Sequence, residues 1–100
     1  MEGKYCILRT KNAGIHCGFV ESVVLMQDSA CVRITHATRL YRWMKHKDGT
    51  LSLSGVALHG AGQESRIDGI LEESEIFGVI ELLPCTETAK AFLMVPRNNT

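Results

Sequence analysis

The chain of 100 residues has no apolar run near the ~20 residues that span a bilayer, so no membrane association is expected. It has no Gly-x-Ser-x-Gly, no phosphate-binding Walker loop, no His-Glu-x-x-His and no dinucleotide fingerprint, which removes the common hydrolase, nucleotidase, zinc-protease and dehydrogenase signatures. It has no Cys-x-x-Cys; Cys6, Cys17, Cys31 and Cys85 lie too far apart in sequence for a metal knuckle. The four histidines (His16, His36, His46 and His59) include no i,i+3 or i,i+4 pair. His16 and Cys17 are neighbours on an expected strand, where adjacent side chains point to opposite faces and do not share a metal. No metal, no cofactor and no catalysis are expected, although a Cys–His pair built across strands stays geometrically open.

Charge of one sign is also missing. Eleven Lys and Arg balance eleven Asp and Glu, which weighs against general nucleic-acid binding, because phosphate contacts need a basic excess. An apolar fraction of 45% with 22% charged residues is that of an ordinary globular chain. One hundred residues make one domain, 1–100, with a thin stability margin that oligomerisation would widen. The opening Met1-Glu2-Gly3-Lys4 runs directly into a strand-like segment. No signal peptide is expected, and a cytoplasmic location follows as the default. Reduced, buried thiols fit that setting better than two disulfides.

The charge that is present is uneven. Arg33, Arg39, Arg42, Lys45 and Lys47 fall in one stretch without an acid. Glu64, Asp68, Glu72, Glu73, Glu75 and Glu81 fall in another with Arg66 alone. Two solvated faces, an anion site, or complementary patches meeting between subunits would each produce this pattern.

Hydrophobic periodicity predicts an α+β domain that is mainly antiparallel β, a small SH3-like barrel or meander of about five to six strands with two short helices. Strands are expected over Lys4 to Thr10, Ile15 to Met26, Ala30 to His36 and Thr38 to Met44, with Lys11-Asn12-Ala13-Gly14 and Gln27-Asp28-Ser29 as turns. Asp48-Gly49 marks a loop. Ser52 caps a helix carrying Leu53, Val56 and Ala57, which Gly60 and Gly62 stop. Gln63 to Ser74 reads as a loop, with a short strand around Arg66 to Ile70 left open. Ile76 to Leu83 is near-continuously apolar, the pattern of a strand covered on both faces. Thr86 caps a second helix with Ala89, Phe92 and Leu93 inward, Pro96 ends it, and Arg97 to Thr100 is expected to fray.

One segment carries the functional reading. On a strand, Arg39, Tyr41 and Trp43 share a face, and a guanidinium beside large aromatic faces suits a planar base and a phosphate. The competing reading makes Tyr41 and Trp43 core or interface anchors with Arg39 at the rim. The turn Asn12-Ala13-Gly14 could add backbone N–H groups near an anion.

Several residue strings carry a resemblance: Arg9, Thr10, Ala13, Gly14, Ile15, His16 and Gly18; Ala37, Arg39, Leu40, Tyr41 and Trp43; and the segments Leu51 to Gly60, Glu64 to Ile67 and Ile80 to Ala91. Taken in this order they resemble a family of small uncharacterised phage and prophage proteins over nearly the whole chain. The resemblance implies a setting, an accessory protein in the host-cell cytoplasm, and no activity. Within that setting the expected function is a homo-oligomeric counter-defence sponge that sequesters an anionic nucleotide-derived signalling molecule, with Arg9, His16, Arg39, Tyr41, Trp43 and Arg66 as ligand contacts. The alternatives are a protein-binding or virion-assembly module with no small-molecule ligand, and an enzyme that degrades a nucleotide signal.

Overall fold

In a computed structural model, residues 1–97 are described, and they form four antiparallel strands and two short helices. The strands are β1 (Tyr5–Thr10), β2 (Ile15–Leu25), β3 (Ala30–Arg42) and β4 (Arg66–Pro84); the helices are α1 (Leu53–His59) and α2 (Glu87–Leu93). Each strand pairs with the next, and β4 returns to pair with β1, Ile7 opposite Leu83 and Leu8 opposite Leu82. The sheet is therefore a ring-like α+β arrangement.

Four long strands stand where five to six shorter ones were expected. The turn expected after His36 is absent, and β3 continues through it as a bulge. Between Thr35 and Thr38 three steps on β3 answer two on β2, from Phe19 to Cys17, and His36 takes the positive φ of 49° that such a bulge requires. Gly18 sits against this bulge; a Cβ there would lie 2.9 Å from the Thr35 carbonyl oxygen. Likewise the expected loop 63–74 is for the most part strand. Glu73 and Glu75 pair across from Thr35 and Arg33, and Arg33 reaches Glu75 at 2.9 Å and Glu73 at 3.9 Å. Local polarity pointed to a loop, but a polar segment can complete a ladder when its side chains face water.

The double-sided strand is also not the expected one. Along Ile76 to Leu83, Ile76 and Val79 are buried while Phe77 and Ile80 are exposed. It is β1 that is covered on both faces. Cys6 and Leu8 join Val20, Val32, Ile34, Ile76 and Val79 in one core. Tyr5 and Ile7 join Cys17, Leu40, Val56, Ile67 and Leu93 in a second core under the helices.

The helix caps follow the sequence reading. Ser52 accepts from the Gly55 N–H and Thr86 from the Ala89 N–H, each satisfying a donor the first helical turn leaves open. The Thr86 hydroxyl also donates to the Leu58 carbonyl at 2.7 Å, which ties α2 to α1. Gly60 ends α1 with φ 81°, close against Phe92. Arg97 is not frayed. Its backbone exchanges two hydrogen bonds with Ile67, both 2.8 Å, and its guanidinium lies over Phe92. The rest of the expected tail, Asn98 to Thr100, lies outside the described residues. Among the described residues no helix is long and apolar enough to cross a membrane. The four cysteines are free thiols, Cys6 and Cys17 buried, Cys31 and Cys85 half-buried.

Leu8→Ala, at a fully buried position, is expected to cost about 2–5 kcal/mol in urea unfolding, because a cavity adds to the lost transfer energy. Leu58→Ala, on the exposed side of α1, should stay within about 0.5 kcal/mol of the parent.

Candidate functional site

A cleft of about 430 Å³ opens between the second half of β3 and the first half of β4, with His16 of β2 at one wall. Arg39 is its centre. In the ladder Arg39 lies opposite His16 on one side and Asp68 on the other, so three ionisable residues from three strands form one row. The Arg39 guanidinium lies against the β1–β2 turn, its Nε–Nη2 edge toward Gly14. A Cβ on Gly14 would be 2.8 Å from Nη2 and 3.2 Å from Nε, and Gly14 has φ 84°, a backbone conformation that calls for glycine. Thr10 holds that turn: its hydroxyl donates to the Gly14 carbonyl and accepts from the Ala13 N–H, both at 2.8 Å.

Tyr41 lies beside this row, half-exposed. Arg39 and Arg66 both carry their guanidinium over its ring, 4.9 and 5.0 Å from the centroid. A second bulge follows Leu40. From Leu40 to Arg42 two steps on β3 answer one on β4, from Ile67 to Arg66, so Tyr41 and Arg42 both face outward while Leu40 stays buried. Arg66 Nε lies 3.7 Å from Asp68, an ion pair too long for a hydrogen bond, and that Nε is buried with no hydrogen-bond partner. Ile70 and Leu71 supply an apolar wall, and the buried Thr38 forms the floor, its hydroxyl donating to the Leu93 carbonyl.

His16 holds its proton on the turn side. Its Nε2 is 2.7 Å from the Ala13 carbonyl oxygen and donates to it. Burial lowers the His16 pKa; the Ala13 carbonyl works against that, and the Arg39 charge reinforces it. The neutral ring is therefore the folded form at neutral pH. Cys17, next in sequence, points to the opposite face, is fully buried, and has its thiol pushed up by burial. Cys85 is likewise raised by burial, to about 12. Both thiols stay protonated, so neither is poised as a nucleophile.

Of the six expected contacts, the structure gathers four: His16, Arg39 and Tyr41 line the cleft, and Arg66 joins through Tyr41. Trp43 does not line it. Its ring packs against the helix-side core and its Nε1 donates to the Leu51 carbonyl at 2.9 Å, so it anchors the loop before α1. Arg9 is on another part of the surface, paired with Glu81 at 2.9 Å. Sequence reasoning missed Asp68, Ile70 and Leu71, because it assigned most of their segment to a loop. The signal available was the alternation Arg66, Ile67, Asp68, which continues a strand. The arrangement offers two cations, one carboxylate and an aromatic ring beside an apolar wall. Among the described residues no three His, Cys, Asp or Glu side chains are grouped to hold a metal ion.

The half-buried His16 gives a pH test. Its pKa is lower folded than the ordinary value of 6.5, so below about pH 6.5 the unfolded chain binds the extra proton first. Stability should be fully present above that pH and fall as acid is added. Urea unfolding at a series of pH values would show the decline, and His16→Gln should flatten it between neutrality and the onset of carboxylate titration.

Comparison with curated proteins finds no match, and comparison with solved structures finds none. A family model does match, over residues 3–93, which takes in all four strands and both helices. The chain accordingly belongs to the family described as a domain of unknown function, DUF6948.

Proposed function

We propose that this domain is a non-catalytic capture module whose cleft takes a small, anionic, ring-bearing ligand of the nucleotide-derived class. The observation that carries the reading is the packing of Arg39, set against Gly14 on one side and over Tyr41 on the other, with Arg66 on the same ring. A guanidinium fixed in this way loses little further side-chain entropy when it pairs with a phosphate. Asp68 offsets one of the two cations, which leaves the cleft a net single positive charge. That suits a phosphodiester better than a polyphosphate. Ile70 and Leu71 give a flat apolar group a surface to lie on.

The phage-type setting is carried by the sequence resemblance. In that setting the capture of a host signalling nucleotide is the counter-defence use of the cleft, in the host cytoplasm. The protein-contact reading draws support from a separate apolar surface, where Val24 and Phe77 are exposed. Degradation of a signal draws no support from the cleft, where no nucleophile is activated.

Calorimetry of the full chain against cyclic dinucleotides and ADP-ribose derivatives tests the reading. At least one ligand should bind with micromolar affinity or better. Arg39→Ala and Tyr41→Ala should each weaken it at least about ten-fold, near 1.4 kcal/mol. Arg9→Ala should leave it unchanged, because Arg9 is engaged with Glu81 away from the cleft. Absence of heat across the panel would remove the proposal.

A further inference from the structure

The cleft holds an acid whose lone pairs are unused. Elsewhere on the surface acids are taken up at close range: Glu75 receives Arg33 and Glu81 receives Arg9, each at 2.9 Å. Asp68 differs. It stands opposite Arg39 in the ladder, yet Arg39 turns to Gly14 and Tyr41, and among the described residues the two make no ion pair. Arg66 comes within 3.7 Å, near enough to offset the Asp68 charge and too far for a hydrogen bond. The Asp68 side chain, 46% exposed, therefore offers two acceptor oxygens to the cleft it lines.

What stands beside this carboxylate is apolar. From Asp68 to Leu71 three steps on β4 answer two on β3, from Arg39 to Ala37, so Leu71 comes to the face that carries Asp68. Leu71 is 60% exposed and its neighbour Ile70 47%, both lining the same cleft. A flat ring lying on this wall presents its edge to the carboxylate.

A carboxylate accepts hydrogen bonds and donates none, so it favours a ring edge with two adjacent N–H donors. Among the nucleobases guanine has that edge, N1–H beside the N2 amino group. Adenine sets its amino group beside the N1 lone pair, and cytosine sets its own beside N3. Uracil and thymine carry one N–H between two carbonyls. Each of these brings a lone pair against the Asp68 oxygens and leaves one of them unpaired, which costs binding. Resting on the capture reading above, the geometry points to a guanine nucleotide as the ligand. Asp68 takes the N1–H and N2 amino groups, Ile70 and Leu71 take the face of the base, and Arg39 is left for the phosphate. Asp68 is thus the residue that sets base specificity.

Calorimetry of the full chain with matched ligands tests this: cyclic di-GMP against cyclic di-AMP, and GMP against AMP. In at least one pair the guanine member should bind at least about ten-fold tighter. Cyclic di-IMP keeps N1–H and lacks the N2 amino group; it should bind more weakly than cyclic di-GMP, a readout that needs no substitution. Asp68→Asn keeps the shape and offers one acceptor and one donor, the complement of the adenine edge. It should abolish or reverse the guanine preference with an unchanged circular dichroism spectrum, whereas a purely structural role would weaken both bases alike. Adenine ligands that bind the wild type as tightly as guanine ones, or a guanine preference that survives Asp68→Asn, overturn the assignment and leave the capture reading standing. Binding of an ADP-ribose derivative with no guanine ligand bound does the same. If nothing binds, both fall.

Discussion

The pairing of β4 with β1 closes the ring, and most of the architecture depends on it. The ladder from Cys6 opposite Pro84 to Thr10 opposite Val79 places a short strand between two apolar clusters. With β1 in place, Leu8 completes the interior shared with Val20 and Val32, while Ile7 on the reverse face supports Val56 and Leu93. A chain of this length buries only a modest fraction of its surface, and splitting that burial into two small cores would be costly if they were independent. A strand that serves both makes them one cooperative unit. The helices, of seven residues each, are too short to persist without that support.

Closing a ring with four strands demands strong curvature, and the bulges supply it. The positive φ at His36 and Gly78, and the extra residue at Tyr41, each bend a strand and break the inside–outside alternation. Two of these irregularities shape the outer surface. The bulge after Leu40 brings Arg42 to the outer face beside Tyr41, which regular alternation already sets next to Arg39; the bulge at Gly78 turns Phe77 and Ile80 outward together. Regular pairing gathers His16, Arg39 and Asp68 at one end, and the Gly78 bulge gathers apolar side chains at the other.

How much of this was legible follows from which residues are governed locally. The two helices could be read because Ser52 and Thr86 cap them by contacts within three residues, and Gly60 stops α1 through its own backbone freedom. The turn at Asn12 to Gly14 was legible for the same reason. The continuity of β3 and β4 was not. Whether His36 turns or bulges depends on Gly18 of a neighbouring strand, and whether Glu72 to Glu75 forms a loop or a strand depends on Arg33. Those partners are remote in sequence. The assignment of Arg39 and Tyr41 to one face was readable from a period of two, and His16 came beside them through pairing between β2 and β3. Trp43 shows where that rule ends: the strand stops at Arg42, so the period no longer governs the next residue but one after Tyr41.

The balance of charge acquires a physical reading from the two surfaces. A chain with no net charge exerts little long-range pull on a polyanion, so attraction to anions has to be local. At the cleft, Arg39 and Arg66 converge on one ring with one carboxylate between them and the solvent-facing acids of β4. At the other end the acids are taken up by Arg9, Lys11 and Arg33, and what remains exposed between the pairs is apolar. The acidic stretch and the basic stretch are therefore not two opposed faces. They are interleaved by the β3–β4 ladder, and the difference between the ends lies in stoichiometry: two cations to one anion where a small anion would enter, and three cations to four anions at the hairpin end.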